Sequence, residues 1–273
     1  MSVGAHRRRF GSPVVSVPVD APTLAVLLAA ASAAGWVDAV VGGGGLILIP
    51  VLMLVFPGMA PATALGTNKL TALSGTASAA IRLFPRTPLN WRVLVGAFFV
   101  AAAFASAGAY TASRLPVSVF KPVVLVLLVA VGVFVATRPQ FGTTTEGTAR
   151  TKTATLTALT IAAVAIAFYD GIMGPGTGTF LIITLTVAAG MTFLESSATA
   201  KVLNSGTNVG ALVVFASQGH VLWLLGLALG LANIVGAQLG AHMALGRGAG
   251  FVRVVLLAVV VVMVGKLGYD MLR

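Results

Sequence analysis

The chain has 273 residues, 58% of them hydrophobic and 8% charged, with a mean hydropathy of +1.03. A water-facing domain carries roughly 25% charged residues, and disordered chains are rich in charge and poor in apolar residues, so both classes are excluded. At roughly 20 residues per helical crossing, the length holds about eight to ten spans and no separate soluble domain. Net charge is +11, from 17 Lys and Arg against 6 Asp and Glu. The basic residues sit mostly in short gaps between apolar runs, where they anchor helix ends to an anionic leaflet; nucleic acid is not an expected partner. Cysteine is absent and His occurs three times, without a His-Glu-x-x-His pattern. Disulfides, thiolate metal sites and zinc-protease chemistry are thereby removed.

Residues 1–20 form a polar tail carrying Arg7, Arg8 and Arg9. The tail and the apolar stretch behind it have the look of a secretory or twin-arginine signal. That stretch has a counterpart later in the chain, however, so it is expected to belong to the mature fold. Apolar runs then follow at 21–41, 61–84, 90–112, 117–137, 153–173, 193–216, 220–244 and 250–269, each long enough for a helical crossing. Two shorter runs, 46–56 and 179–190, lie behind glycine-rich stretches. A polar linker at 138–152 divides a first membrane unit, 21–137, from a second, 153–273.

The two units match at an offset of 132 residues. Asp38 falls on Asp170, Gly42 on Gly174, Gly44 on Gly176, Thr67 on Thr199, Lys69 on Lys201, Trp91 on Trp223 and Gly108 on Gly240, without a gap; Trp36 falls on Phe168. Asp, Lys and Trp are scarce here, so the matches point to an internal duplication of the kind common in secondary transporters. If both short runs cross, ten spans form inverted 5+5 repeats, and the 14 Lys and Arg outside the helices divide six to eight across the membrane. If both are re-entrant, each half has four full spans and the copies run parallel. A cytoplasmic start then puts ten basic residues inside and only Arg114, Lys121, Arg247 and Arg253 outside. Positive charge favours the cytoplasmic face. The expected architecture is therefore an all-α polytopic membrane protein with eight full spans plus two short or re-entrant segments, with ten spans as the alternative.

Within each unit an Asp, a glycine cluster and a Lys follow one another: Asp38, Gly42–Gly45 and Lys69, then Asp170, Gly174, Gly176, Gly178 and Lys201. An ionised residue near a bilayer centre costs about 2.5–3.5 kcal/mol on insertion scales, so these four must face a polar cavity or one another. If they only lock helices together, the expected pairs are Asp38–Lys69 and Asp170–Lys201. Consecutive glycines are poor helix formers and should break the helix, exposing backbone N–H groups to a covered or watery site. The short helix behind each break would aim its positive end at that site. Lys201, Asn204, Ser205 and Asn208 share one helix face; Lys69 with Thr76, and Asn68 beside it, form a thinner stripe. Helix–helix hydrogen bonding is the plainer use for such a stripe. The same plain use, close helix packing, suits Gly226, Gly230, Gly236 and Gly240. Glu195 fits a helix first turn, His220 and His242 lie near span ends, and Trp91 and Trp223 read as interfacial anchors.

Gly35-Trp36-Val37-Asp38 with Gly42–Gly45, Gly66-Thr67-Asn68-Lys69, and Asp170-Gly171 with Gly174-Pro175-Gly176-Thr177-Gly178 resemble the TauE/SafE family of sulfite and organosulfur-anion exporters, from about Ala25 to Leu267. One departure is Ala200, where the pattern often has a polar residue before the lysine. The resemblance implies an inner-membrane transporter of small anions. The expected substrate site comprises Lys69, Lys201 and the amides of Gly42, Gly43, Gly44, Gly45, Gly174, Gly176 and Gly178, with Thr67, Asn68, Asn204 and Asn208 orienting the anion. Asp38 and Asp170 would balance the lysines or take up a coupling proton. No enzymatic activity, cofactor or metal is expected; the expected partners are the anion, a coupling proton or cation, membrane lipid and a second copy of the chain. An anion channel is the first alternative, and an intramembrane enzyme using Asp38 and Asp170 the second.

Overall fold

The computed structural model describes residues 20–114, 129, 133, 137, 151–174 and 176–272, with side chains for part of 245–272. Most of the expected polar tail and linker, Pro175 and most of the run 117–137 lie outside the described residues. Regular structure among the described residues is helical, without a strand.

Besides the helical residues 129, 133 and 137, the described residues form eight α-helices in order: α1 (Ala21–Val41), α2 (Gly45–Val55), α3 (Pro61–Leu83), α4 (Trp91–Ala112), α5 (Lys152–Ile172), α6 (Thr177–Ala189), α7 (Phe193–Ser217) and α8 (Trp223–Leu272). Local chemistry sets several of their ends. α1 stops at Gly42, whose φ of 79° places it in the left-handed region that favours glycine. α3 opens on Pro61, whose missing N–H is no loss in a first turn. α7 opens on a capping box: Thr192 Oγ1 accepts from the Glu195 N–H at 3.3 Å, and the Glu195 carboxylate accepts from the Thr192 N–H at 2.8 Å. A π-turn at Ala162–Ile166 interrupts α5 one turn ahead of Asp170.

α1, α4, α5 and the Trp223–Ala244 part of α8 are long and apolar enough to cross a membrane. α3 and α7, about 35 and 38 Å long at 1.5 Å per residue, carry the polar stripes and are buried in the centre. α2 and α6, with 11 and 13 residues, measure only about 16 and 20 Å against a hydrocarbon core of about 30 Å. One difference from the sequence reading is at the C-terminal end. The runs 220–244 and 250–269 form the single 50-residue helix α8, since Gly246, Gly248 and Gly250 weaken a helix without ending it and no proline separates them.

Large apolar side chains such as Ile81, Phe99, Leu224 and Leu231 point outward, while Lys69, Lys201, Asn68, Asn204 and Asn208 are buried. This distribution, the reverse of a soluble protein's, suits lipid as the surrounding solvent.

Packing divides the helices differently from the order of the chain. α8 lies along α1 and α3, whereas α4 lies along α5 and α7. One apolar core therefore gathers α1, α2, α3 and α8 with Ala109 of α4 and the end of α7, and a second gathers α4, α5, α6 and α7. Each chain half lends its fourth described element to the other half's lobe. The seams inside each lobe are glycine contacts. A Cβ on Gly240 would stand 2.5 Å from the Trp36 carbonyl oxygen, and one on Gly108 would stand 2.1 Å from that of Phe168. These two contacts join residues that correspond at the 132-residue offset.

Overpacking of such a seam costs about 1–3 kcal/mol. Gly236→Ala would drive its Cβ to 1.8 Å from the Ser32 carbonyl oxygen and should lower the melting temperature of the detergent-purified protein. Gly96→Ala, with open space around it, should leave melting unchanged or raise it by up to about 1 kcal/mol of helix propensity; equal melting of the two variants would refute the seam.

Candidate functional site

The lysine helices α3 and α7 pack against each other between the two lobes. Lys69 Nζ lies 2.8 Å from Asp170 Oδ1, with both side chains 2% exposed. Lys201 Nζ lies 3.3 Å from Asp38 Oδ2, with exposures of 1% and 14%, and it also donates to the Asp38 main-chain carbonyl. This corrects the within-unit pairing Asp38–Lys69 and Asp170–Lys201: each lysine reaches the aspartate of the other half. The physical reason is the α3–α7 contact, which carries each lysine across the lobe interface to the end of the other half's broken helix. Burying an ion costs several kcal/mol even after relaxation, and the crossed pairs cancel that charge twice.

The two glycine breaks also meet. The Gly178 N–H donates to the Gly42 carbonyl at 3.1 Å, and Thr179 Oγ1 donates to the Val41 carbonyl at 2.6 Å. A Cβ on Gly42 would come within 2.2 Å of the Gly178 Cα, so only glycines allow this crossing. The expectation of open amides at both breaks is corrected in part. The Gly42 N–H is bonded to the Asp38 carbonyl at 2.8 Å and the Gly178 N–H to Gly42, while the Gly44 N–H faces Asp38 Oδ1 at 3.5 Å, the limit of a hydrogen bond. Gly43 lies against the Leu46 and Val37 side chains, and Gly176 caps α6 with a φ of 78°.

A cavity of about 20 Å³ lies at the interface, lined by Asp38, Gly42, Gly45, Asn68, Lys69, Ala72, Asp170, Gly174, Asn204 and Asn208. It has room for about one water molecule. Of the expected site residues, these lining groups come together, with Lys201 directly behind Asp38. Gly43, Gly44, Gly176, Gly178 and Thr67 are not on its wall. Thr67 Oγ1 instead accepts from the Leu222 N–H at 3.1 Å, tying α3 to the start of α8. Asn68 is 5% exposed and its side-chain amide has no protein partner among the described residues. Asn208 Nδ2 donates to Thr76 Oγ1 at 3.3 Å, a contact between residues 132 apart. Ala200, the departure from the family pattern, sits in the second apolar core, and Asn204 one turn later supplies the polar wall. Gly174 combines a φ of 82° with close approach: a Cβ there would be 3.2 Å from both Lys69 Nζ and Asp170 Oδ1.

Thr177 was not among the expected site residues. Its hydroxyl donates to Asp170 Oδ1 at 2.7 Å; the chain must fold back at Gly174 to bring it there, and spacing alone carries no signal of that. Glu195 is the capping-box carboxylate described above. His220 Nδ1 meets Thr63 Oγ1 at 3.2 Å and His242 Nδ1 meets the Arg82 guanidinium at 3.3 Å, away from the cavity. Trp91 and Trp223 are exposed at their helix starts, as interfacial anchors are.

Removing one partner of a buried ion pair costs about 3–5 kcal/mol, because the other charge is stranded. Lys69→Ala should therefore destabilise the protein by about that much in a detergent melt. The Lys69→Ala/Asp170→Ala double variant should recover a substantial part of the loss; additive losses would refute the pairing.

The sequence profile of the family described as sulfite exporter TauE/SafE matches residues 27–267. A "Probable membrane transporter protein ORF9" of Sinorhizobium sp is 37% identical over 248 residues, covering 90% of this chain and 93% of that protein. A "Probable membrane transporter protein" of Haemophilus influenzae is 32% identical over 251 residues, covering 90% and 95%. The "Probable membrane transporter protein YfcA" of Escherichia coli K12 is 32% identical over 250 residues, covering 90% of each chain. No solved structure matches. The chain belongs to the sulfite exporter TauE/SafE family of membrane transporters.

Proposed function

We propose that this protein is a secondary transporter, not an enzyme, that moves a small sulfur-containing oxyanion such as sulfite or a sulfonate across the cytoplasmic membrane. The observation that carries the reading is the crossed pair of buried lysines around a polar cavity inside an apolar bundle. A purely mechanical lock has no need of a cavity or of an unbonded Asn68 amide beside it. Ammonium groups and carboxamide N–H groups are the donors an oxyanion needs once its water is removed. The family description, sulfite exporter, supports the substrate class.

The cavity has room for about one water molecule, too little for a sulfur oxyanion, which therefore enters when the lobes part. The moving bodies are α1–α2–α3–α8 and α4–α5–α6–α7, rather than the first and second halves of the chain. Glycine seams hold each body together, while the Lys–Asp pairs, the Gly42–Gly178 crossing and the Asn208–Thr76 bond span the gap. The matches at the 132-residue offset and the exchanged contacts support a duplicated unit with the short helices α2 and α6 as its re-entrant elements.

Proteoliposome uptake of radiolabelled sulfite and simple sulfonates tests the reading. A hydrogen bond to a charged group is worth about 1.5–3 kcal/mol, so Lys69→Ala and Lys201→Ala proteins that reach the membrane should lose about 10- to 100-fold in flux. Full flux in both would overturn the proposal. Flux that never accumulates substrate against its gradient would identify a channel.

A further inference from the structure

Resting on the transport reading above, we propose that Asp38 is the proton carrier of the cycle, and that one proton enters the site with each monovalent anion. The four buried charges cancel as they stand: Lys69 with Asp170 and Lys201 with Asp38. An anion approaching this cavity meets two carboxylates on its wall as well as the lysines. Like charges at close range in a low-dielectric interior repel strongly. One proton on one carboxylate changes the sum of the site to +1, which a monovalent anion then cancels.

The two aspartates are not equivalent, and the differences select Asp38. Asp170 is 2% exposed, and its Oδ1 receives both Lys69 and the Thr177 hydroxyl. Its Oδ2 is buried without a partner, and Lys69 has no acceptor outside this carboxyl group among the described residues, so a proton on Asp170 would leave the buried ammonium facing a neutral acid group alone. Asp38 is 14% exposed and stands on the cavity wall beside Gly45, which at the 132-residue offset occupies the place of Thr177 and carries no hydroxyl. Lys201 also keeps an acceptor when the Asp38 carboxylate is neutral. It already donates to the Asp38 main-chain carbonyl, at the C-terminal end of α1, where the helix dipole favours a cation. The charged groups facing Asp38 are Lys201 from α7 and, across the cavity, Lys69 from α3 and Asp170 from α5. α2 and α6 bring no titratable residue, and the described His242 of α8 is engaged by Arg82.

In the step so defined, a proton from water adds to the Asp38 carboxylate and the Lys201–Asp38 ion pair breaks. The anion takes up the uncancelled charge, with the free Asn68 amide as a neutral donor. After the lobes have moved, anion and proton leave on the far side and the ion pair re-forms. No net charge crosses.

Methanesulfonate, whose charge does not change near neutral pH, separates substrate protonation from site protonation. Calorimetric titration of the purified wild-type protein, in buffers of differing ionisation enthalpy, should show about one proton taken up per anion bound; none taken up overturns the inference. In proteoliposomes with an entrapped pH dye, wild type should move about one proton per methanesulfonate. The residual flux of Asp38→Asn should carry none, and that of Asp170→Asn should keep the wild-type ratio; an unchanged ratio in Asp38→Asn overturns it. If Asp38→Asn fails to insert, the wild-type calorimetry decides. Wild-type flux without protons overturns this inference alone, whereas a wild type that neither binds nor carries methanesulfonate or sulfite overturns the transport reading with it.

Discussion

An ammonium group held inside an apolar bundle must have its charge cancelled within a few ångströms, and the arrangement of this protein follows from that requirement being met twice. Lys69 and Lys201 are among the largest fully buried side chains, and neither could stay there beside neutral neighbours at a tolerable cost. Each is matched by an aspartate at the end of a helix that glycine interrupts. The breaks, the approach of α3 to α7 and the cavity between them are the geometry that brings the four charges together. Had the pairs formed within each unit, the two halves could separate without electrostatic cost. Because they form between units, charge joins the lobes as well as the apolar and backbone contacts between them.

The contrast between the two kinds of contact gives the molecule its mechanical character. Inside a lobe, glycines let backbones touch, as Gly236 does at Ser32 and Gly171 at Ala105; such seams gain dispersion energy that a small displacement forfeits. Between lobes, the crossed ion pairs, the Asn208–Thr76 bond and the Gly42–Gly178 crossing lie beside apolar contacts that Ala211 and Phe215 make with the first core. The exchange of α4 and α8 between the halves reinforces the point, since neither half of the chain could move as a unit without tearing a glycine seam.

Most of the long apolar runs, the short elements behind the glycines, the place of Glu195 in a helix first turn and the exposed Trp91 and Trp223 were legible from the chain, because each rests on local composition or spacing. The polar stripe of Lys201, Asn204 and Asn208 was legible for the same reason, as helical periodicity puts those residues on one face. Thr67 misled because it is adjacent to Asn68 and Lys69 in sequence, yet adjacent residues on a helix point about 100° apart, and its hydroxyl serves the start of α8. Thr177 escaped notice because its partner lies on the far side of a backbone reversal. The glycine amides were expected to be open, and two of them were found to satisfy backbone carbonyls, a pairing that needs both breaks in the same place.

Sequence by itself determined the solvent, the helical class and the identity of the charges that have to be neutralised, since hydrophobic content and the expense of buried ions are properties of residues wherever they lie. Only the tertiary structure decided which aspartate neutralises which lysine, which helices form a lobe and where the cavity opens. Those outcomes depend on the packing of α3 against α7 and of α8 against α1, contacts between segments more than a hundred residues apart. Periodicity and spacing describe neighbours along one helix; partners across a bundle are chosen by shape and by the requirement that no buried charge be left alone.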